Sequence, residues 1–272
     1  MAELKYKLTN DVLFKSLFVK YKGLLKRLVA ALLGIRVEDI GEDFRVANSE
    51  MPPEAMGEKF CHLDINMTVN GQRVDLEVQV EDRGDYPERS LFYWAREYSS
   101  ALPAGEDFCG LPRTIVISIL AFQLFRCTEY HSEFGLLEVR RHERLTDRLA
   151  MHYFELPKLP EVVDAGDELK LWLAFFKADT VEKLEELVSI GGEIMVQAVE
   201  AYRNVSASDE FKELARLRER ARLNEASALA HERRQAESRK SLEIAKNMRA
   251  EGMDVDAISR ITGLTVDEVL KL

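Results

Sequence analysis

The chain has 272 residues, 46% of them hydrophobic, and its 38 Lys and Arg against 48 Asp and Glu give a net charge of −10. This length exceeds what one small core needs, and the apolar fraction is ordinary for a globular protein. Net acidity excludes a protein that coats nucleic acid through bulk charge, since phosphate contacts need clustered Lys and Arg. It does not exclude an enzyme that gathers acidic metal ligands at one site.

Residues 1–20 mix charged and apolar side chains and hold no apolar h-region or small-residue cleavage site, so no signal peptide is expected. No apolar run reaches the length of about 20 residues that a bilayer requires, so the expected location is cytoplasmic, without membrane contact. Thr9 or Asn10 can cap a helix that begins at Asp11. Val12, Leu13, Leu17 and Phe18 recur at helical spacing, with Asp11 and Lys15 on another face. A second helix is expected over 22–33, stopped by Gly34. The stretch 38–59, with Pro52 and Pro53, reads as loop with one short strand.

The clearest pattern follows. From 62 to 69 the residues alternate, His62, Asp64, Asn66 and Thr68 against Leu63, Ile65, Met67 and Val69. Asn70-Gly71 is the strongest short-range signal for a two-residue hairpin turn. Alternation resumes over 72–80, with Val74, Leu76, Val78 and Val80 on one face and Asp75, Glu77 and Gln79 on the other. If Asn70 and Gly71 are the turn, Val69 faces Gln72. Asp64 then faces Glu77, Asn66 faces Asp75 and His62 faces Gln79, all on one face. Opposed Cβ atoms lie about 4.5–5.5 Å apart. Two carboxylates that close repel unless a proton or a hard cation intervenes. Mg2+ accepts one or two carboxylates with water and phosphate oxygens, and the Val78 carbonyl could add an oxygen. An ordinary hairpin with one wet face alternates in the same way. Two details favour a site: the polar face is short of Lys and Arg, and the hairpin leads into the centre of the domain.

A polar loop precedes a helix expected over 88–102, ended by Pro103 and Gly105. TIVISILAF (114–122) is an apolar, β-branched run suited to a central strand covered on both faces. Strand, helix and strand make a crossover unit and hence a mixed α/β core. Further strands are expected over 134–140 and 152–156. From Glu168 the chain reads as helical, with an apolar face of Leu169, Leu171, Trp172, Phe175 and Phe176, then helices over 181–188 and 193–202. Residues 208–250 contain no Pro or Gly and suggest one exposed helix of roughly 60 Å if unbroken. Its apolar positions are too sparse for a coiled coil, so it reads as a helical linker. Residues 252–272 form two short amphipathic helices with a turn at Thr262-Gly263 and a capping box over Thr265-Val266-Asp267-Glu268. This pattern resembles a helix-turn-helix unit. Cys61, Cys109 and Cys127 are odd in number and widely spaced, which speaks for free thiols rather than a disulfide framework or zinc site.

At these residues the sequence resembles the Rpn family of recombination-promoting nucleases and transposases, within the PD-(D/E)xK superfamily. The resemblance runs from LTNDVLFKSLF (8–18) through the Asp64 strand and Glu77-Val78-Gln79 to Arg89 and Tyr93. It continues over TIVISILAF and Glu155-Leu156-Pro157-Lys158 into the helical tail that closes on Ile261-Thr262-Gly263-Leu264. It implies a restriction-endonuclease-like α/β fold, a mixed sheet flanked by helices, with an all-helical C-terminal extension. The implied parts are a nuclease core over 1–160, a helical subdomain over 161–207, a linker helix over 208–250 and a helix-turn-helix-like tail over 251–272. It also implies a DNA endonuclease dependent on Mg2+, with Mn2+ as a substitute, that hydrolyses phosphodiesters in double-stranded DNA in a recombination or mobile-element setting. Asp64, Glu77 and Gln79 would be catalytic, with Asp64, Glu77 and the Val78 carbonyl holding the metal. Gln79 stands where the superfamily most often has Lys. It can hydrogen-bond the attacking water but brings no charge. Asp11 is a candidate for the metal's outer shell and equally a helix N-terminal acid favoured by the dipole. Lys15, Arg89 and Tyr93 are candidates for DNA contact, although a mutual Arg89–Tyr93 cation–aromatic contact is an adequate alternative. His62 is a candidate base or a surface residue. Cutting both strands needs two active sites, hence an expected homodimer. The alternatives are an inactive nuclease-fold scaffold and a DNA-binding protein. Asp254, Asp256, Asp267 and Glu268 argue for a packing or dimerisation role of the tail over phosphate contact.

Overall fold

The computed structural model describes residues 2–47, 50–51, 61–62, 65–102 and 105–272. The chain divides into two compact units, residues 1–212 and 213–272.

The first unit opens with helices α1 (Asp11–Lys20) and α2 (Lys22–Leu33). Asn10 caps α1 by accepting from the Leu13 N–H, and Leu13, Phe14, Leu17 and Phe18 form its buried face. Gly34 ends α2 in the left-handed conformation, φ 65°. Strands β1 (Arg45–Val46), β2 (Glu50–Met51), β3 (Cys61–His62), β4 (Ile65–Val69) and β5 (Gln72–Gln79) follow. Helix α3 (Tyr86–Ser100) then crosses to β6 (Thr114–Leu120), and a hairpin of β7 (His131–Leu137) and β8 (Arg144–Glu155) completes the strands. Six of them form one mixed sheet in the order β1-β4-β5-β6-β8-β7, while β2 and β3 pair separately. β5, β6 and β8 run parallel at its centre, with antiparallel pairs on either flank.

The Asn70-Gly71 turn has φ 50° and 71°, as a type I′ hairpin requires. The predicted register holds over the described ladder, with Val69 opposite Gln72, Asn66 opposite Asp75 and Ile65 opposite Leu76. Asp43 receives both turn amides, Asn70 N–H at 3.1 Å and Gly71 N–H at 2.5 Å, and so ties the turn to the preceding loop. All seven residues of β6 are buried, as its unbroken apolar run predicts.

One face of the sheet lies under α3. Tyr86, Leu120, Leu149, Met151 and Tyr153 form that core, with Trp94, Phe122 and Phe125 packed on it. A second aromatic core joins Phe14 and Phe18 of α1 to Trp172 and Phe176 of α4 (Glu168–Lys177). Helices α5 (Val181–Ile190) and α6 (Gly192–Ala207) pack on each other, and α6 packs on α1. The N-terminal segment bridges Glu3 to Thr180, and the Tyr202 hydroxyl donates to the Tyr6 carbonyl.

Helix α7 (Asp209–Ala250) is continuous, as its freedom from Pro and Gly predicts. In the second unit its C-terminal turns pack on α8 (Val255–Thr262) and α9 (Val266–Leu270) through Ala245, Ile258 and Val269. The Thr265–Glu268 capping box is present, and Gly263 makes the turn at φ 74°. Among the described residues no helix is long and apolar enough to cross a membrane.

Candidate active site

The site is built on the end of β5. Backbone direction alternates along a strand. The Arg73 N–H donates to Arg113 O, and Gln79 O accepts from Ala121 N–H, so odd-numbered residues of β5 address β6. The Val78 carbonyl therefore points to the β4 side. Side chains of the odd-numbered residues share the face that α3 covers. At the near end, Arg73 Nη1 reaches Glu97 Oε2 at 3.2 Å and Ser100 Oγ at 3.0 Å. Asp75 and Glu77 follow, only 1% and 2% exposed. A wet hairpin face is thereby excluded, because two carboxylates at that depth lie beneath a helix and not in water.

Gln79 links the strand to the helix. Its Nε2 donates to Glu77 Oε2 at 3.0 Å, and its Oε1 accepts from Arg89 Nη2 at 3.0 Å. The Arg89 guanidinium stacks over the Tyr86 ring, 5.1 Å from its centroid, with Nη1 4.0 Å from Asp85 Oδ1. Its Nε is buried and makes no hydrogen bond with a described group. The Tyr86 hydroxyl donates to Ser118 Oγ at 2.9 Å, and Ser118 is the β6 partner of Glu77. Burial pushes the Tyr86 pKa well above the ordinary phenol value, and the neighbouring Glu77 and Asp75 charges add to the rise. Further along the strand ends, Glu155 lies beside Leu120, which lies beside Gln79. Glu155 Oε1 accepts from the Leu124 and Phe125 N–H groups, and its Oε2 meets Lys158 Nζ at 2.5 Å.

A family model described as PD-(D/E)XK nuclease family transposase matches residues 8–232. The chain belongs to this family. A second model, the C-terminal HTH domain of the Rpn/YhgA-like nuclease family, matches residues 238–272. Comparison with curated proteins finds no match, nor does comparison with solved structures. A nuclease- and transposase-related function and a PD-(D/E)XK α/β fold follow from the family and agree with the six-stranded sheet.

The expected residues of this nuclease-family site are distributed unevenly. Glu77 and Gln79 are brought together, and Arg89 joins them. Asp64, expected opposite Glu77, lies outside the described residues, one step beyond the last described pair of Ile65 and Leu76. His62 pairs with Glu50 in the small sheet, and the described β4–β5 ladder does not extend to it. Asp11 is the first residue of α1, where its Oδ1 accepts from the Val12 N–H, and Lys15 is half-buried one turn on. The Arg89–Tyr93 contact, the alternative to DNA contact, gives way to a stack of Arg89 on Tyr86, while Tyr93 meets Phe92 at 6.3 Å. The reason is the helix start. α3 begins at Tyr86, not at 88, so Tyr86 occupies the first turn below Arg89. Pro87 in that turn was the available signal. Tyr86 and Ser118 were not singled out by sequence, because a Tyr in a loop and a Ser in an apolar run carry no periodic mark.

The described donors, the Glu77 carboxylate and the Val78 carbonyl, are all oxygen, which suits a hard divalent cation. Among the described residues no three His, Cys, Asp or Glu side chains gather as a metal cluster.

Proposed function

We propose that this chain is a divalent-metal-dependent DNA endonuclease, with Mg2+ the expected ion and Mn2+ a substitute. The observation that carries the reading is the buried Glu77 carboxylate at the end of a central strand, hydrogen-bonded by Gln79, in a chain of the PD-(D/E)XK family. Asp64, Glu77 and the Val78 carbonyl would hold the ion. When bound, it supplies Lewis-acid stabilisation of the phosphate charge and of the attacking hydroxide. Glu77 holds its carboxylate fixed by burial and by the Gln79 bond. Gln79 has a second amide proton, which orients water for in-line attack. Asp11 would act at one remove from the donor set, and Lys15 and Tyr93 would meet the DNA backbone. Double-stranded DNA is the expected substrate, and a homodimer would place one site on each strand.

The test is plasmid nicking by purified protein in Mg2+ or Mn2+. Wild type should nick, while Asp64→Ala and Glu77→Ala should each lower the rate by at least about 100-fold, a loss typical for a group acting directly on the reacting centre. Equal nicking by both variants would sink the assignment. The Lys-to-Gln departure at 79 favours one second reading, a scaffold with the nuclease fold and no chemistry. A folded wild type that gives no calorimetric heat with either ion would support it.

A further inference from the structure

Gln79 leaves the strand without the cation that the superfamily lysine provides, yet a cation stands directly behind it. We propose that Arg89 is a positioning residue that fixes the Gln79 amide and polarises its N–H towards Glu77. The proposal rests on the nuclease reading above and deepens it.

Arginine can only donate hydrogen bonds. The Arg89 Nη2 contact at 3.0 Å therefore requires that the amide oxygen of Gln79 face the helix. The amide nitrogen must then face the strand, where it lies 3.0 Å from Glu77 Oε2. A carboxylate can only accept, so both ends of the amide are specified and agree. Guanidinium, amide and carboxylate form a polarised chain in which each bond strengthens the next. Through it, a neutral side chain presents an N–H more acidic than that of an isolated amide. Arg89 itself is held for this task. Its guanidinium lies on the Tyr86 ring, whose hydroxyl is tied to Ser118, the neighbour of Glu77. Its side chain is 23% exposed, so solvent does not scramble its geometry. A residue used only to grip DNA phosphate would instead direct its Nη groups outward.

The experiment compares Arg89→Ala, Arg89→Lys, Gln79→Lys and the double variant Gln79→Lys/Arg89→Ala, each checked for folding by circular dichroism and melting. Outer groups that orient a metal ligand typically contribute 10- to 100-fold in activity or metal affinity. Arg89→Ala should thus lose roughly 10- to 100-fold in kcat, with KM and the salt dependence of DNA binding unchanged. Gln79→Lys should restore most of that loss in the Arg89→Ala background, because the strand then carries its own cation. Side-chain amide NMR gives a readout free of activity. The Gln79 NH2 pair should be shifted and slow to exchange in wild type and should collapse towards free-amide values in Arg89→Ala, with weaker Mn2+ binding. A higher KM and a salt slope reduced by about one unit, at constant kcat, would mean a phosphate contact and overturn the proposal. Unchanged Gln79 resonances would overturn it too. A wild type inert towards DNA would count against the nuclease reading alone, and the amide resonances and Mn2+ affinity would still decide this one. If Arg89→Ala does not fold, Arg89→Lys is read by the same measurements, with a smaller loss expected because the charge remains but the planar fork does not.

Discussion

Asn70 fixes where Glu77 lands without touching it. Its left-handed φ of 50° closes the hairpin, its Oδ1 accepts from Gly41 N–H at 2.7 Å, and its Nδ2 donates to the Asp39 carbonyl at 2.9 Å. Asn70→Ala would leave a residue without the local side-chain bonding that lets Asn tolerate the left-handed conformation, at a cost of up to about 1–2 kcal/mol. It would also remove two exposed hydrogen bonds worth at most about 1 kcal/mol each. A loss of about 2–3 kcal/mol in urea unfolding is expected, and Asn70→Gly, which keeps the backbone, should lose about half of that. Equal losses would show that the side-chain bonds carry all of the effect. The register of this turn was legible because Asn-Gly and strict alternation constrain it from both sides. The fate of the polar face was not. Alternation is identical whether water or protein covers that face, and only the fold shows that Asp75 and Glu77 are buried. The partner that Gln79 finds was hidden for the same reason, since Arg89 sits on an element whose start the sequence marked only with Pro87.

At the scale of elements, strands marked by an unbroken apolar run or by strict alternation were readable, and a strand with neither mark was misplaced at its start. β6 matches its run, whereas β8 begins at Arg144, well before the expected 152, because its first half is a charged, exposed arm paired only with β7. That hairpin holds a titratable pair with consequences for stability. His131 Nε2 lies 3.1 Å from His152 Nδ1, the two rings stack, and His131 stacks on Phe154 at 4.3 Å. One nitrogen must donate and the other accept, so the pair suits neutral rings. Burial lowers both pKa values, partly offset by Glu133. The unfolded chain therefore binds protons more readily, and the stabilisation is full above the ordinary imidazole pKa of about 6.5 and is lost as pH falls through the lowered folded values. Urea midpoints should fall between pH 7 and pH 5. Replacing both residues with Phe keeps the stack and should flatten that slope, whereas an unchanged slope would assign the acid sensitivity to carboxylates elsewhere.

At the scale of the whole molecule, the two family models divide the labour much as the two compact units do, a nuclease-family region over 8–232 and a helix-turn-helix over 238–272. The second unit reaches a folded core with few residues because α7 lends its last turns. Ala245 and Met248 meet Ile258, Val269, Leu264 and Leu272, and Arg249 Nη1 donates to the Val269 and Leu270 carbonyls at the end of α9. What this unit binds turns on its charge. A helix-turn-helix reads DNA by setting its second helix in the major groove beside the phosphates. Here α9 is five residues long and brings Asp267 and Glu268 in its first turn, while Asp254 caps α8 and Asp256 follows it. Each carboxylate near a phosphate opposes the counterion release that drives binding. Ile261, Val266 and Leu270 are meanwhile 61%, 40% and 54% exposed, an apolar set unlike a phosphate-binding surface. Deleting residues 253–272 should therefore leave DNA affinity within about threefold and its salt slope unchanged, since no phosphate contact is lost. The same deletion should lower the mass seen in sedimentation if these side chains join copies of the chain. A drop in affinity of tenfold or more with a shallower salt slope and unchanged mass would give the unit to DNA instead.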